Sequence, residues 1–420
     1  MKRIPLIIGL AAVVIGAAAW IYQLIGGLAV TNMSNLFSWG FYIGCFVFLV
    51  GVAAGGMIIS SSIYLFDVER LKPFGKIASL TAFACILAAG CMVIVDLGRF
   101  QNIGQMLIHP NFASPLVWDI VVITLYLILT FLSVYFQLLP GCKRSGKRFL
   151  NGWIARRTED EVDAISARWS RIVALVALPV AVLIHTITAL IFATQNGHPW
   201  WHTAMLPADF IAMAVASGGA LVLIIALAVV GRAHWSEYAN GLATIARIVA
   251  VALVVHFFFV AVELVLLAWT GGGESAALLE AITSTYGLLY LLEIVLTAGA
   301  MVLFFTKAGS RQSGLLIAGS IAVLAGTLVH RLMLLYPEFA TSRFSLVTSM
   351  GVEWLYPLST GRYLATGQAF ASTYAYAPNA IEVGVALLPF GLLLVVLAFV
   401  ANRYRMIGSE PASQASAPEQ

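Results

Sequence analysis

Charge is what this 420-residue chain has least of. Asp, Glu, Lys and Arg together make up 10% of it, whereas hydrophobic residues make up 61% and the mean hydropathy is +0.95. Soluble domains carry about 25% charged residues, so a water-soluble globular fold is excluded and a polytopic membrane protein is implied. Cysteine is scarce too, and Cys45, Cys85, Cys91 and Cys142 show no C-x-x-C spacing. That excludes an iron-sulfur or zinc centre held by this chain, and no metal site is expected. Cys45, Cys85 and Cys91 fall in apolar runs as buried thiols, and Cys142 falls in a polar loop. Only His185, His256 and His330 lie well inside apolar segments, which leaves room for one haem b at most.

What is present is a series of segments of about 20 or more apolar residues, enough to cross a bilayer. They are Ile4–Leu28, Trp39–Phe66, Gly75–Leu97, Pro115–Leu139, Trp169–Thr194, Pro207–Val230, Gly241–Trp269, Leu278–Phe305, Gly314–Tyr336 and Asn379–Asn402. The pattern predicts an all-α protein of ten transmembrane helices. The N-terminus imitates a secretory signal, but its apolar run continues too long and is read as a retained first helix. Of the 23 lysines and arginines, all but Arg99, Arg331, Arg343 and Arg362 fall on one side of this arrangement. Basic residues gather on the cytoplasmic side of short loops. Both termini are therefore expected in the cytoplasm, with Asp96–Asp119 facing outward.

A loose repeat sets Ala53-Ala54-Gly55-Gly56 in the second helix against Ala216-Ser217-Gly218-Gly219 in the sixth. Small residues let helices approach closely in lipid, so a plain packing seam explains it. The alternative is that helices 2–5 and 6–9 are two related four-helix bundles, flanked by helices 1 and 10. The domains then read as 1–38 for the first helix and linker, 39–194 and 195–336 for the bundles, 337–402 for an outer aromatic loop with the tenth helix, and 403–420 for a disordered tail. The stretch Gly141–Arg168 is basic and then acidic. It reads as a solvated connector beside anionic lipid rather than a nucleic-acid patch. The segment Pro337–Pro378 reads as an ordered lid at the membrane interface.

Ionisable groups at membrane depth are expensive and point to function. Asp96 ends the third helix, Asp119 opens the fourth, and His185 lies in the outer third of the fifth, so all three are expected at one level. A quinone ring needs partners for its carbonyls, an acid or base for proton exchange and apolar walls. Asp119, His185 and Asp96 are the candidates for proton exchange, with Arg99, Trp39, Tyr42, Ser114, Tyr126 and Thr186 as the pocket. Each has a plainer explanation: a helix-end ion pair of Asp96 with Arg99, a capping Asp119, a satisfied core His185. His256, Glu263, Glu293 and His330 in the second bundle are candidates for a proton path, or alternatively for a buried structural network.

Four motifs carry a family resemblance. W-G-F-Y-I-G with the following A-A-G-G at Trp39–Gly56, D-L-G-R at Asp96–Arg99, P-N-F-A-S-P-L-V-W-D at Pro110–Asp119 and P-V-A-V-L-I-H-T at Pro179–Thr186 resemble the NrfD/PsrC-like membrane subunits, which include that of polysulfide reductase. Ten helices and Y-A-P-N-A-I-E at Tyr376–Glu382 look like the longer branch of hydrogenase and alternative complex III membrane subunits. The family's D-L-G-R is usually followed by proline, where this chain has Phe100.

The resemblance implies a multi-pass subunit of a prokaryotic cytoplasmic membrane that binds menaquinone or ubiquinone near the outer face, with no covalently bound cofactor and no haem. It also implies electron exchange with a ferredoxin-like iron-sulfur subunit on that face, and through it with a catalytic subunit, commonly a molybdopterin enzyme. A haem b anchor and a secondary transporter, the latter suggested by glycines at matching places in two halves, are the alternatives.

Overall fold

A computed structural model describes residues 3–34, 37–146, 151–231, 234–270, 273–341, 345–347, 353–355 and 375–407. Its helices are α1 (Arg3–Gly26), α2 (Phe41–Leu65), α3 (Gly75–Asp96), α4 (Ile103–Ile108), α5 (Pro115–Ser145), α6 (Glu159–Ala193), α7 (Leu206–Val230), α8 (Trp235–Thr270), α9 (Gly273–Glu280), α10 (Gly287–Phe305), α11 (Ser313–Thr341) and α12 (Ala380–Arg403). Among the described residues 10 helical stretches are long and apolar enough to cross a membrane, and they match the ten expected segments. The tail 408–420 and most of the outer loop, 342–344, 348–352 and 356–374, lie outside the described residues. Within that loop Ser345–Val347 (β1) pairs antiparallel with Glu353–Leu355 (β2).

Two closed rings of helix contacts organise the spans. One runs α2–α3–α5–α6 and the other α7–α8–α10–α11, with α1 and α12 packed on each other and α12 against α3. The most apolar stretch of α2 is 89% buried and that of α1 is 11% buried, so α2 is the central post and α1 faces lipid. The two small-residue stretches turn out to be each other's partners. A Cβ on Gly55 would lie 1.8 Å from the carbonyl oxygen of Ala214, and one on Gly218 would lie 2.4 Å from the nitrogen of Gly56. The seam and the repeat are therefore one feature, because backbone-to-backbone contact of α2 and α7 is what joins the rings. Tyr126 on α5 donates its hydroxyl to the Ala53 carbonyl at 2.7 Å, tying α5 to the same stretch. Nearer the other end of the first ring, Ser60, Ser79, Ser133 and Gln137 hydrogen-bond one another across α2, α3 and α5 at 2.6–2.9 Å.

Local chemistry sets several element ends. Gly27 takes a left-handed φ of 67° after α1, a conformation that costs glycine nothing. Thr158 and Glu161 form a capping box at the start of α6. That helix begins ten residues earlier than expected, which shortens the solvated connector. Cys142, assigned above to a polar loop, is instead buried where α5 runs on to Ser145. α11 likewise runs through Pro337 to Thr341. The eighth expected span is not one helix. α9 ends at Glu280, a π turn covers Ala281–Thr285, and α10 starts at Gly287. Thr283 returns its hydroxyl to the Leu279 carbonyl, the kind of local bond that competes with regular α-helical pairing.

The Tyr376–Glu382 motif closes the fold. Asn379 and Glu382 make a capping box on α12. The buried Glu382 carboxylate also accepts from the Asn32 amide at 3.0 Å and from the Tyr376 hydroxyl. Asn379 donates to the Val30 carbonyl, so this motif fastens the start of α12 to the linker between α1 and α2.

Candidate functional site

Asp119, one turn into α5, is 4% exposed. It accepts a 2.7 Å hydrogen bond from Thr188 on α6. His185 lies three residues before Thr188, so the two share one face of α6. The imidazole is 1% exposed. It has no well-formed hydrogen bond at either ring nitrogen, only a loose approach to the Phe210 backbone. Packing alone holds it, with the Phe210 ring 5.7 Å away and Gly51 so close that an added Cβ would lie 3.4 Å from Nε2. Buried polar atoms in native proteins are nearly always paired. The unpaired imidazole lies one helical turn from Thr188, the donor to the Asp119 carboxylate.

The other expected pocket residues divide. Trp39 belongs to an aromatic wall with Phe192 and Trp201 at ring distances of 5.6 and 6.0 Å. Thr186 points elsewhere and returns its hydroxyl to Val182 in its own helix, because one residue of helix rotates a side chain well away from the face of His185. Thr188 takes the place expected of it. Tyr126 has its hydroxyl engaged on Ala53. Ser114 precedes α5 without a side-chain cap. Asp96 does not join Asp119 and His185. It ends α3 beside Tyr42, whose hydroxyl donates to Gln23 at 2.6 Å, while Gln23 donates to the Val95 carbonyl. One Asp96 oxygen has no partner. Arg99 is exposed, and no Asp96–Arg99 ion pair forms.

The second ring holds a denser cluster. Asp209 on α7 receives His256 at 2.5 Å and His330 at 3.0 Å through its two oxygens. The other ring nitrogen of His330 meets Glu293 at 2.8 Å. Both nitrogens of His330 thus face carboxylate oxygens. Such an arrangement needs either an imidazolium or a proton on one of the acids. A cavity of about 20 Å³ lies against Asp209, Glu263, Tyr290, Glu293 and His330, room for about one water. Oxygens of Glu263 and Glu293 and Nε2 of His256 have no hydrogen bond, although that Nε2 lies 4.0 Å from Glu293, so they can complete a hydrated chain of proton carriers. A polar cap covers this cavity. Glu338 holds His198 at 3.1 Å and the Trp200 amide at 3.1 Å, and Trp200 lines the cavity.

Matched against known families, residues 29–342 fit the model described as polysulphide reductase, NrfD. The chain belongs to the NrfD family. Across 393 residues this NrfD protein is 30% identical to a putative dimethyl sulfoxide reductase membrane subunit of Halobacterium salinarum, over 91% of this sequence and 87% of that one. It is 23% identical to a polysulfide reductase polypeptide of Wolinella succinogenes, over 72% of this sequence and 94% of that one. It is 25% identical to the Hdr-like menaquinol oxidoreductase integral membrane subunit of Archaeoglobus fulgidus, over 53% and 50%. This NrfD protein is thus a multi-pass membrane protein of the type that serves reductase complexes as their membrane subunit.

Three buried residues around these groups are not singled out by the sequence pattern alone. Asp209 is the lone ionisable residue of α7, a signal that leaves its partners open. Thr188 needed the helical phase of His185. Arg331 was counted among outer charges, yet it is 1% exposed on α11 with its guanidinium 3.9 Å over the Phe210 ring and no hydrogen bond. Phe210 is thus shared between His185 of one ring and Arg331 of the other.

Proposed function

We propose that this subunit exchanges electrons and protons between the membrane quinone pool and an iron-sulfur partner on the outer face, and that quinone binds at Asp119, Thr188 and His185. The observation that carries this is the unpaired, buried His185 one helical turn from Thr188, the residue whose hydroxyl holds the Asp119 carboxylate. A quinone carbonyl supplies the partner that the imidazole lacks, and Phe210 and the aromatic wall around Trp39 supply apolar sides. Histidine exchanges protons near neutral pH, and Asp119, held by Thr188, stands ready as the second carrier. Quinone is the substrate here. A menaquinol oxidoreductase among the relatives favours that substrate class, and the reductase subunits among them favour a catalytic partner reached through iron-sulfur centres. The basic side of the protein is cytoplasmic on the same reading, in the cytoplasmic membrane of a prokaryote.

The cluster around Asp209 is best read as a proton path joined to that site across Phe210 and Arg331. It is a poor haem site. His256 and His330 meet edge to face at 4.7 Å with both rings tied to carboxylates, so they do not face each other across a gap that would take a porphyrin.

The test is turnover in the assembled complex. His185→Ala and Asp119→Asn are each expected to lower quinone-linked turnover about 100-fold or more, the usual worth of general acid–base catalysis. Electron transfer from the soluble subunits to an artificial dye should survive. Wild-type quinone turnover in both variants would end the proposal.

A further inference from the structure

No spacing of cysteine or histidine along this chain marks a metal site, yet helix packing brings together a donor set that suits a cation. Among the described residues Asp209, His256 and His330 each bring one ligand atom to within 4.8 Å of the others. They stand on α7, α8 and α11, which is why the sequence hides them. Asp209 is 2% exposed and His256 0%, and the nitrogens that face the Asp209 oxygens are Nδ1 of His256 and Nε2 of His330. Behind both rings stands Glu293, 2.8 Å from the second nitrogen of His330 and 4.0 Å from that of His256. A histidine that binds a metal almost always gives its other ring N–H to a carboxylate, carbonyl or water, which fixes tautomer and orientation. His330 already has that carboxylate, and His256 has it close by.

Charge and space point the same way. The carboxylates of Asp209 and Glu293 against two neutral imidazoles leave two negative charges, and buried charges are paired or coordinate a metal. One divalent cation balances them. The hydrogen bonds do not exhaust the set, since Nε2 of His256 and one oxygen of Glu293 have none. The cavity of about 20 Å³ beside Asp209, Glu293 and His330 takes about one water, the ligand that completes a tetrahedron. We propose that Asp209, His256 and His330 form a binding site for one divalent cation of the zinc class. Two nitrogens with an oxygen select such an ion over magnesium or calcium, which take oxygen shells. Zinc bonds of about 2.0–2.1 Å set neighbouring donors about 3.4 Å apart, so the Asp209 contacts of 2.5 and 3.0 Å need open by only about 1 Å or less. Where this cluster is a proton path, a cation held here stops it. That consequence rests on the proton-path reading, and the binding itself does not.

The experiment uses the whole complex, washed with chelator and titrated with zinc sulfate. Elemental analysis counts the zinc retained, and absorption at the zinc K-edge, which sees no other metal, reports its ligands. Wild type is expected to hold one zinc per complex more than His256→Gln or His330→Gln, undisplaced by a large excess of magnesium. Its shell should contain two imidazole nitrogens, with all ligands at about 2.0–2.1 Å. Glu293→Gln, which touches only the backs of the rings, should weaken zinc binding about 10–100-fold. His185→Ala should keep the zinc, so a fault in the quinone site shows separately. Assembly of each variant is read from the subunits recovered, and where a variant fails to assemble the wild-type spectrum decides alone. No zinc taken up, a shell without imidazole, or equal uptake in wild type and both histidine variants would overturn the proposal.

Discussion

In the first helix ring His185 is held by packing and has no well-formed hydrogen bond, whereas in the second His330 has both ring nitrogens on carboxylates and His256 shares one of them. The rings have the same four-helix plan and meet at one small-residue seam, yet their buried ionisable groups are arranged in opposite ways. An unpaired buried group is costly until a guest arrives, which suits a binding site. A cluster whose histidines and acids bond one another is held in place without a guest, and with the unbonded atoms of Glu263, Glu293 and His256 it can pass protons along itself. The comparison teaches that counting charges by helix does not distinguish the two, but pairing does.

Breaking the second cluster should have the largest effect on the protein itself. Asp209→Asn removes the charge and one of the two acceptor oxygens that hold two buried histidines, and losing one partner of such a pair costs about 3–5 kcal/mol. The amount of assembled complex recovered from membranes should fall sharply, while His185→Ala, with no pair to break, should leave it near the wild-type level. Equal recovery of the two variants would remove the contrast. Next comes Tyr126→Phe, which removes the side-chain donor to the Ala53 carbonyl at an expected cost of about 0.5–1.5 kcal/mol. Thermal stability in detergent should drop while quinone turnover per assembled complex stays. A reversed pattern would return Tyr126 to the quinone pocket.

A finer comparison lies within α6. Thr188→Ala frees Asp119 from its donor and should reduce quinone turnover about tenfold, the scale of one hydrogen bond to a charged group. Thr186→Ala should change it little, since that hydroxyl only returns to its own helix. Smallest of all is Arg99→Gln. The exposed, unpaired guanidinium is expected to leave both turnover and stability within measurement error, and a large loss would place Arg99 at a partner contact or in the pocket.

The ten spans were legible because membrane thickness fixes length, and length survives in the sequence without any knowledge of packing. The seam was legible as a repeat, but that Ala53–Gly56 meets Ala216–Gly219 was not, since sequence does not say which small faces touch. His185, Asp119, His256, Glu293 and His330 stood out because charge is rare in apolar runs. Their grouping did not follow from depth alone: Asp96 shares the outer level yet belongs with Tyr42 and Gln23 beside α1. Thr186 and Thr188 differ only in helical phase, and Arg331 looked like a loop charge because it lies close to the end of a span. The π turn at Ala281–Thr285 left no sign in the hydropathy.

On the proposed function, the ring with the unpaired histidine, not the ring with the paired cluster, receives the quinone. A photoreactive quinone analogue added to the assembled complex tests this directly, with labelled peptides read by mass spectrometry and natural quinone as competitor. The account predicts competed labelling on α5 around Asp119 and on α6 around His185, reduced in His185→Ala and retained in Glu293→Gln. Competed labelling confined to α7, α8, α10 and α11, and abolished by Glu293→Gln, would contradict it.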